Sequence, residues 1–375
     1  MSTPDVSTRP LTVVQLIPAL HSGGAERSAL EISRALVQAG HRSVVVSAGG
    51  RLVAQLQAEG GEHITLDIGR KSPLVLARLG RLRRLLRQLR PDIVHARSRL
   101  PAWLGWWAMK GLSPRPHFIT TVHGLNSPSR YSAILLRGER VVAVSQNLRD
   151  YVLSHYPWLE PGRVRVIPRG IDPDVFPYGH RADDNWKTSF FAEYPSLMGA
   201  PLLTLPARGT RLKGHHDAIE LVADLKNRGI DTRLLLLGVV EPGREAYLAE
   251  LNALIQARGV ASQVVLAPAR DDVRDVYAVS TLILQLSNKP ESFGRTVVEA
   301  LSLCRPVLGY AHGGVGELLA ELYPAGRVPP GDRERLVERA AELLRVSPPI
   351  PPLHSYRLAD MQQATLALYR EVVGA

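Results

Sequence analysis

The sequence predicts an α/β protein with two domains, each containing a doubly wound parallel sheet. Apolar, β-branched runs alternate with segments of helical periodicity along most of the 375 residues. This alternation is interrupted at residues 174–199, where Pro, Asp and aromatic residues accumulate without a regular period. A chain of this length can form two complete cores. We therefore expect two αβ series joined by a linker.

The first series opens with a βαβ unit. Residues 11–17 form the predicted first strand, residues 25–39 the helix and residues 43–47 the second strand. Gly23 and Gly24 lie in the connecting loop, where glycine allows the backbone to approach a ligand closely. The loop lacks the third glycine of a dinucleotide fingerprint, so we do not predict an NAD site. A plain turn is the alternative interpretation of these glycines.

A histidine ends one of the later predicted strands in this series. Residues 117–122 form that strand, and His123 and Gly124 follow it. Open α/β sheets present ligand contacts at the carboxyl ends of their strands, which favours a role for His123. His95 also ends a predicted strand, but a core position explains it equally well. Further strands are predicted at residues 140–144 and 164–168.

A basic amphipathic helix is predicted near residues 70–90, which contain eight Arg or Lys and no acidic residue. Such a helix can lie on an anionic membrane, but a helix covering a sheet has the same pattern. Trp103, Trp106 and Trp107 follow on a short helix. Tryptophan suits sugar stacking and membrane interfaces, and packing on the sheet explains these three rings at least as well.

The second series begins with a predicted strand at residues 202–205. The loop that follows, at residues 206–214, carries Arg208 and Lys213 and leads into a helix at His215. Cationic side chains at a helix start suit an anionic ligand, although a solvated basic loop is the alternative. Strands are predicted at residues 233–237 and 264–267, and Arg270 lies in the loop after the second of them.

The most informative segment is residues 288–299, which reads N-K-P-E-S-F-G-R-T-V-V-E. It joins a predicted buried strand, residues 281–286, to a predicted helix at residues 297–303. Glu291 and Glu299 are separated by seven residues. The backbone amides of Phe293, Gly294 and Arg295 would lie at the helix N-terminus, which favours an anion. The segment thus combines a phosphate-binding helix end with two carboxylates that can accept hydrogen bonds from hydroxyl groups. This combination predicts a nucleotide sugar as ligand.

This segment resembles the E-x7-E motif of the retaining glycosyltransferases with the GT-B fold, the glycogen-synthase-like group 1 and family 4 type. Residues 169–172, R-G-I-D, and the glycine pair near residue 23 resemble other motifs of these proteins, with Arg169 where Asn is usual. The resemblance implies two Rossmann-like domains facing a cleft. It implies an N-terminal acceptor domain at 1–173, a linker at 174–199 and a nucleotide-sugar domain at 200–352. A last helix, within 353–375, is expected to pack back on the first domain.

The resemblance also implies roles for individual residues. Glu291 would contact the transferred sugar, His123 would lie near the reacting carbon, and Arg208 and Lys213 would clamp the donor diphosphate. The residues expected to bind the donor are Gly23, Gly24, Arg270, Ser292, Phe293, Gly294, Arg295, Thr296 and Glu299. No residue is an obvious covalent nucleophile, and no D-x-D pattern predicts metal ligands. We expect retained anomeric configuration and neither a metal ion nor another cofactor.

Composition indicates which class of partner and which cellular location to expect. The net charge of +11 suggests an anionic partner, and zinc-finger spacing and aromatic RNA-binding signatures are missing, so nucleic acid is not predicted. No apolar run reaches the ~20 residues needed to span a bilayer. Residues 1–10 lack a signal-peptide core, and the single cysteine, Cys304, is predicted as a buried thiol inside an apolar helix. A cytoplasmic protein with a short disordered leader is expected.

The charge, the arginine-rich helix and the tryptophans together suit an amphiphilic, anionic acceptor at the inner face of a membrane. We therefore expect a glycolipid or oligosaccharide acceptor, with lipopolysaccharide core or a related envelope glycan first, and peripheral contact with anionic lipid. Two alternatives remain open at this point. One is a nucleotide-sugar epimerase, and the other is a non-catalytic protein that binds a polyanion or a membrane.

Overall fold

The structure is a computed structural model that describes residues 9–21, 23–70 and 75–374, without the side chain of Leu76. The predicted leader lies almost wholly outside the described residues. The chain divides into two compact units. The first unit contains Met1–Gly170 and Leu358–Ala375, and the second contains Ile171–Arg357.

The first unit is built on a parallel sheet of seven strands within the described residues. In chain order they are β1 (Thr12–Leu16), β2 (Arg42–Ser47), β3 (Glu62–Thr65), β4 (Ile93–Ala96), β5 (His117–Val122), β6 (Arg140–Ala143) and β7 (Val164–Val166). Their spatial order is β3-β2-β1-β4-β5-β6-β7, and every pair is parallel. Helices cover the sheet: α1 (Gly24–Gln38), α2 (Val53–Ala58), α3 (Val75–Leu89), α4 (Arg99–Ala108) and α5 (Gln146–His155).

The second unit repeats the plan with six parallel strands among the residues described. They are β8 (Leu202–Pro206), β9 (Arg233–Val240), β10 (Val264–Pro268), β11 (Leu282–Gln285), β12 (Val307–Tyr310) and β13 (Arg327–Val328). The spatial order is β10-β9-β8-β11-β12-β13. Its helices are α6 (Asp184–Glu193), α7 (His215–Asn227), α8 (Glu245–Ala257), α9 (Val273–Val279), α10 (Arg295–Ser302), α11 (Gly313–Leu322) and α12 (Arg333–Arg345).

The last helix, α13 (Leu358–Val373), belongs to the first unit. Its Leu358, Met361 and Leu368 join a core cluster that includes Val13 of β1 and Ile32 of α1. Apolar residues spaced three to seven positions apart give this helix one buried face, which explains where it packs.

The segment 174–199, predicted to be an interdomain linker, contains α6 and lies in the second unit. Trp186, Phe190 and Tyr194 are spaced by four residues and therefore share one helical face. That face packs on Leu235 and Leu237 of β9, and Phe190 is 2% exposed. The aromatic residues that seemed to break the periodicity are a core-facing stripe.

The prediction for Cys304 was wrong. Helix α10 ends at Ser302, and Cys304 lies beyond it with φ 61°, only partly buried. The amide of Arg305 donates to the Ala300 carbonyl at 2.9 Å, which closes the helix through a left-handed turn. Among the described residues, none of the helices has the length and apolar character needed to cross a bilayer.

Candidate functional site

The centre of the second sheet marks where a ligand would bind. The chain runs from β8 to β9 and β10 on one side, and from β11 to β12 and β13 on the other. The adjacent strands β8 and β11 are therefore the topological switch point, where open α/β sheets bind ligands at their carboxyl ends. The loops that leave these two strands hold Lys213 and Glu291, respectively.

An ion pair joins the two loops. The Nζ atom of Lys213 donates to Oε1 of Glu291 at 2.6 Å, and the two side chains are 28% and 21% exposed. The hydroxyl of Ser287, directly after β11, also donates to Glu291 Oε1. His312, after β12, contacts the Ser287 carbonyl through Nε2 at 2.7 Å. The two predicted site residues are thus brought together, and Ser287 and His312 were missed.

Glycines allow these loops to pack backbone against backbone. Gly214 has φ 75°, and a Cβ atom there would lie 1.9 Å from the Leu286 carbonyl oxygen. The amide of Gly314 donates to the Glu291 carbonyl at 2.7 Å. A Cβ on Gly313 would lie 2.5 Å from that same oxygen. No larger residue fits at these contacts, so the glycines fix the loop that carries Glu291.

Gly294 caps α10 with φ 119°, so the helix begins at Arg295, two residues before the predicted start. The amides at this end are the ones predicted to seat a phosphate. The ring of Phe293 is buried and packs against Tyr356, so only its backbone could contact a ligand. Ser292 and Thr296, also predicted to bind the donor, are half-buried beside this end of the helix.

Glu299 lies one turn into α10, on its buried side. It is 8% exposed, and its Oε1 lies 3.4 Å from Nε of Arg295. This i,i+4 pair holds the carboxylate in a position with little access to water. Carboxylate oxygens accept hydrogen bonds from hydroxyl groups, which is the role predicted for Glu299.

Arg208 is exposed, in the loop after β8. Its carbonyl accepts from the Thr210 amide at 2.7 Å. The neighbouring Gly209 lies so close to the Val239 carbonyl that a Cβ would come within 2.5 Å of it. The backbone is thus held in place while the guanidinium extends from it. The structure does not bring the Arg208 side chain into the Lys213–Glu291 contact.

The Arg270 side chain is held by ion pairs within the second unit. It forms a two-pronged ion pair with Asp272, with both contacts at 2.8 Å, and a further one with Glu193 at 2.7 Å. Its guanidinium also lies 5.6 Å from the centre of the Phe190 ring. The hydrogen bond to Asp272 is the main reason that the pKa of Arg270 is raised. These contacts tie the loop after β10 to α6.

His215, the first residue of α7, was missed as a site residue. Its side chain is fully buried, and Nδ1 lies 3.1 Å from the hydroxyl of Tyr247. Burial lowers the pKa of His215 to about 4, so the ring is neutral at pH 7. It lies directly after the loop that carries Arg208 and Lys213. Its place at the predicted helix start was visible in sequence, but its burial was not.

In the first unit, one arginine connects two predicted site regions. Nη2 of Arg169 lies 2.6 Å from Nδ1 of His123, and Nη1 donates to the Gly24 carbonyl at 2.5 Å. Burial, and then the charge of Arg169, hold the pKa of His123 well below its usual value. Gly23 precedes α1, where its amide donates to Glu26 at 2.9 Å. The structure therefore links His123 to the glycine loop.

His95 occupies a core position. It is 1% exposed; Nδ1 lies 2.6 Å from the Tyr369 hydroxyl and Nε2 lies 2.7 Å from Oγ1 of Thr121. The Nδ1 contact attaches α13 to the sheet, and the Nε2 contact joins β4 to the neighbouring strand β5. Of the two interpretations of His95, the structure supports the structural one.

The basic helix α3 covers the sheet and also presents charge. Leu82 and Leu86 are buried, while Arg81, Arg84 and Arg87 are exposed.

The three tryptophans of α4 differ in their surroundings. Trp103 donates to the Tyr131 carbonyl at 3.1 Å, Trp106 packs against Phe118, and Trp107 is 40% exposed. Among the residues described, no group of three or more His, Cys, Asp or Glu is placed to hold a metal ion.

Two family models match the chain. Residues 22–175 match Glycosyltransferase Family 4, and residues 187–351 match Glycosyl transferases group 1. Among its relatives, the chain is 29% identical over 187 residues to the alpha-maltose-1-phosphate synthase of Mycolicibacterium smegmatis, covering 49% of this chain and 46% of that protein. It is 24% identical over 284 residues to the N-acetyl-alpha-D-glucosaminyl L-malate synthase of Bacillus anthracis, covering 73% and 70%. The aligned part thus spans about half the length of the first of these relatives.

A third relative is WcaL of Salmonella typhimurium, whose name connects it with colanic acid biosynthesis. It is 26% identical over 248 residues, covering 62% of this chain and 56% of that protein. Among solved structures, a glycosyltransferase from Rickettsia africae superposes with a TM-score of 0.86 at 27% identity, over 98% of this chain and 99% of that one. Anabaena HepE in complex with UDP-glucose has the same fold, with a TM-score of 0.79 at 18% identity over 96% and 100%.

The two family models lie in sequence on the two αβ series, and the structural match extends over nearly the whole chain. The chain belongs to the glycosyltransferases of the GT-B fold, with a family 4 region followed by a group 1 region.

Proposed function

We propose that this protein is a retaining glycosyltransferase that moves a sugar from a nucleotide-diphosphate sugar to a hydroxyl group of a membrane-associated glycolipid. The observation that carries the proposal is the Lys213–Glu291 ion pair at the switch point of the second sheet. Glu291 lies four residues before Arg295, the first residue of the Gly294-capped helix α10, so the carboxylate and its paired cation lie at the loop that leads to this helix end. A diphosphate and a sugar need these two kinds of group side by side.

The donor is proposed to bind to the second unit. Glu299 would hold the ribose, the amides from Ser292 to Thr296 would seat the diphosphate, and Glu291 would orient the sugar. Lys213 and Arg208 would stabilise the charge that develops on the departing diphosphate. No described carboxylate forms an ion pair with Arg208, so its charge is available to a phosphate. We propose no metal ion, because these two cations supply the charge that a metal ion supplies elsewhere.

The proposed reaction exchanges one C–O bond for another at the anomeric carbon. The bond from that carbon to the diphosphate oxygen breaks, and a bond to the acceptor hydroxyl oxygen forms on the same face. The hydroxyl proton passes to the departing diphosphate oxygen, which carries the electron pair of the broken bond. No side chain forms a covalent intermediate. His123 and the Gly23–Gly24 turn are proposed to contact the donor, and Arg270 to support the loop near the base.

The acceptor is proposed to be lipopolysaccharide core or a related envelope glycan. Three features support this choice: the net charge of +11, the exposed arginines of α3, and the exposed Trp107 on the neighbouring α4. The relationship to WcaL points in the same direction. We propose peripheral contact with anionic lipid on the cytoplasmic side, where each cation near the surface contributes about 1 kcal/mol.

The transferase proposal is tested with purified protein, a panel of nucleotide sugars and an envelope glycolipid extract. Transfer is expected, with the anomeric configuration of the product read by NMR. Glu291→Ala and Lys213→Ala should abolish transfer while the proteins remain folded. Lys187→Ala is a matched control, because it removes an ion-paired lysine elsewhere in the second unit. Undiminished transfer by both site variants would exclude the assignment.

The same assay distinguishes the alternatives. A nucleotide-sugar epimerase would convert the donor when the acceptor is omitted. A non-catalytic binding protein would bind anionic vesicles equally well after loss of Glu291, Glu299 and Lys213, and would have no affinity for nucleotides. If α3 contacts lipid, replacing Arg81, Arg84 and Arg87 by Gln should weaken vesicle binding. The same change at the exposed Arg228, Arg327 and Arg345 should have little effect.

A further inference from the structure

Arg169 is a buried cation in an unusual position. It follows β7 by three residues, is 6% exposed, and stands where the resembled motif usually has Asn. Burying an arginine is costly unless its donors are satisfied with good geometry. A replacement that adds this cost needs a compensating role, and the contacts of Arg169 indicate what that role is.

The guanidinium joins two elements of the first unit. Nη1 donates to the carbonyl of Gly24 at 2.5 Å and also contacts the hydroxyl of Ser28, both in the first turns of α1. Nη2 donates to Nδ1 of His123 at 2.6 Å, at the carboxyl end of β5. One planar group therefore sets the distance between His123 and the glycine turn that opens α1.

The contact with Arg169 also fixes the state of the His123 ring. A guanidinium has only donors, so Nδ1 must present its lone pair and cannot carry a proton. The ring is therefore neutral, with its proton on Nε2. The other titratable or charged groups described around it are Arg97 and His95, which both disfavour the imidazolium. Tyr369 of α13 and Glu31 of α1 act in turn on Arg97. All of these belong to the first unit.

A small cavity separates these groups. It measures ≈ 20 Å³ and is lined by Ser28, His95, Arg97, Thr121, His123 and Arg169, among others. That volume holds about one water molecule. The donors and acceptors around His123 are thus arranged in a confined space, where the orientation of each group depends on its neighbours.

We propose that Arg169 is a positioning residue that holds His123 as a neutral donor of an Nε2–H hydrogen bond and fixes it relative to the first turn of α1. This inference rests on the proposed function only in the step that takes His123 to the donor sugar. It follows that His123 stabilises a sugar oxygen by donating a hydrogen bond. It does not act as a general acid or base, because Nδ1 is occupied and the imidazolium is disfavoured.

The direct test is the tautomer of His123, read by long-range ¹H–¹⁵N correlation NMR on protein labelled with ¹⁵N-histidine and assigned with His123→Gln. The wild-type ring should carry its proton on Nε2 throughout pH 6 to 8. In Arg169→Met the ring should show Nδ1 protonation or begin to titrate within that range. A wild-type ring protonated on Nδ1 would overturn the inference without any variant.

Steady-state kinetics of sugar transfer provide a second test of the positioning role of Arg169. Arg169→Met should lower kcat for sugar transfer on the order of 100-fold, as expected when a reacting group is misplaced. Arg169→Lys keeps the charge and one donor, and should recover part of the activity and the wild-type tautomer. Arg163→Met is the control, since Arg163 donates to backbone carbonyls elsewhere in the first unit. Wild-type tautomer and kcat in a folded Arg169→Met would refute the role.

The two proposals fail in different ways. If the tautomer depends on Arg169 but no nucleotide sugar is ever turned over, the proposed function fails and the role of Arg169 in holding His123 stands. If transfer occurs and His123 keeps its tautomer in both Arg169 variants, the proposed function stands and the positioning role is wrong.

Discussion

Lys213→Met separates the proposed catalytic role of the Lys213 ammonium group from its structural role. The substitution keeps the length and most of the volume of the side chain and removes only the charge. In the structure the ammonium contacts Glu291 at 2.6 Å, and the pair is about a quarter exposed. Ser287 still donates to Glu291 in the variant, so the carboxylate is not left without a hydrogen bond.

The cost to stability should be small. A partly exposed ion pair whose remaining partner keeps one donor contributes about 1 kcal/mol. For a folding unit the size of Ile171–Arg357, that corresponds to a fall in Tm of about 2–4 °C. The cost to catalysis should be much larger. Loss of one preorganised group that stabilises developing charge typically lowers kcat about 10²–10³-fold, or about 3–4 kcal/mol.

The assay is steady-state transfer of sugar from the nucleotide donor, with the Tm of each variant measured by calorimetry. We expect kcat to fall further than KM rises, since the charge on the diphosphate grows as the bond breaks. Lys187→Met is the control, because Lys187 pairs with Asp184 on an exposed surface of the same unit. A kcat within twofold of the wild type in folded Lys213→Met would refute the assignment of Lys213.

Three further predictions concern other parts of the second unit. Gly214→Ala should destabilise by more than about 2 kcal/mol in chemical denaturation, because its Cβ would lie 1.9 Å from the Leu286 carbonyl oxygen. Gly229→Ala has a similar φ but open space, and should cost only about 1 kcal/mol; equal losses would contradict this account. Glu299→Gln should raise the donor KM about 10–100-fold, through loss of a charged acceptor; an unchanged KM would argue against ribose binding. His215 has a pKa of about 4 when folded and 6.5 as its ordinary value, so the stability of the protein falls as the pH drops through that window. In His215→Gln, the loss of unfolding free energy between pH 7 and pH 4 should be smaller by up to about 3 kcal/mol, measured by chemical denaturation across that range. An unchanged loss would show that His215 is not the group responsible.

The alternation of strands and helices was visible in the sequence because each element has a strong local period. Strand β5, predicted at residues 117–122, has those bounds in the structure. The two parallel sheets follow from the same alternation. The helix within segment 174–199 was not predicted, because it is short and its buried face is made of aromatic residues that pack on β9.

The candidate site could be predicted in part for a similar reason. Glu291 and Lys213 occur in loops after strands, and the topology brings their side chains within 2.6 Å. The structural settings of Arg270 and His215 could not be predicted, because burial and ion pairing with residues distant in sequence decide them. Arg169 was noticed only as a departure from a motif. Its partners, Gly24 and His123, lie 145 and 46 positions away.

The central claim is that the second unit binds a nucleoside diphosphate through Lys213 and Glu299. It is tested most directly by thermal denaturation of the wild type with UDP, ADP, GDP and their glucose conjugates. A ligand at about 100 times its Kd stabilises the folded state by about 2.7 kcal/mol, so at least one member of the panel should raise Tm by several degrees. Lys213→Met and Glu299→Gln should lose most of that increase, whereas Lys187→Met should keep it. If no nucleotide raises the Tm of the wild type, or if all three variants respond as the wild type does, the claim is contradicted.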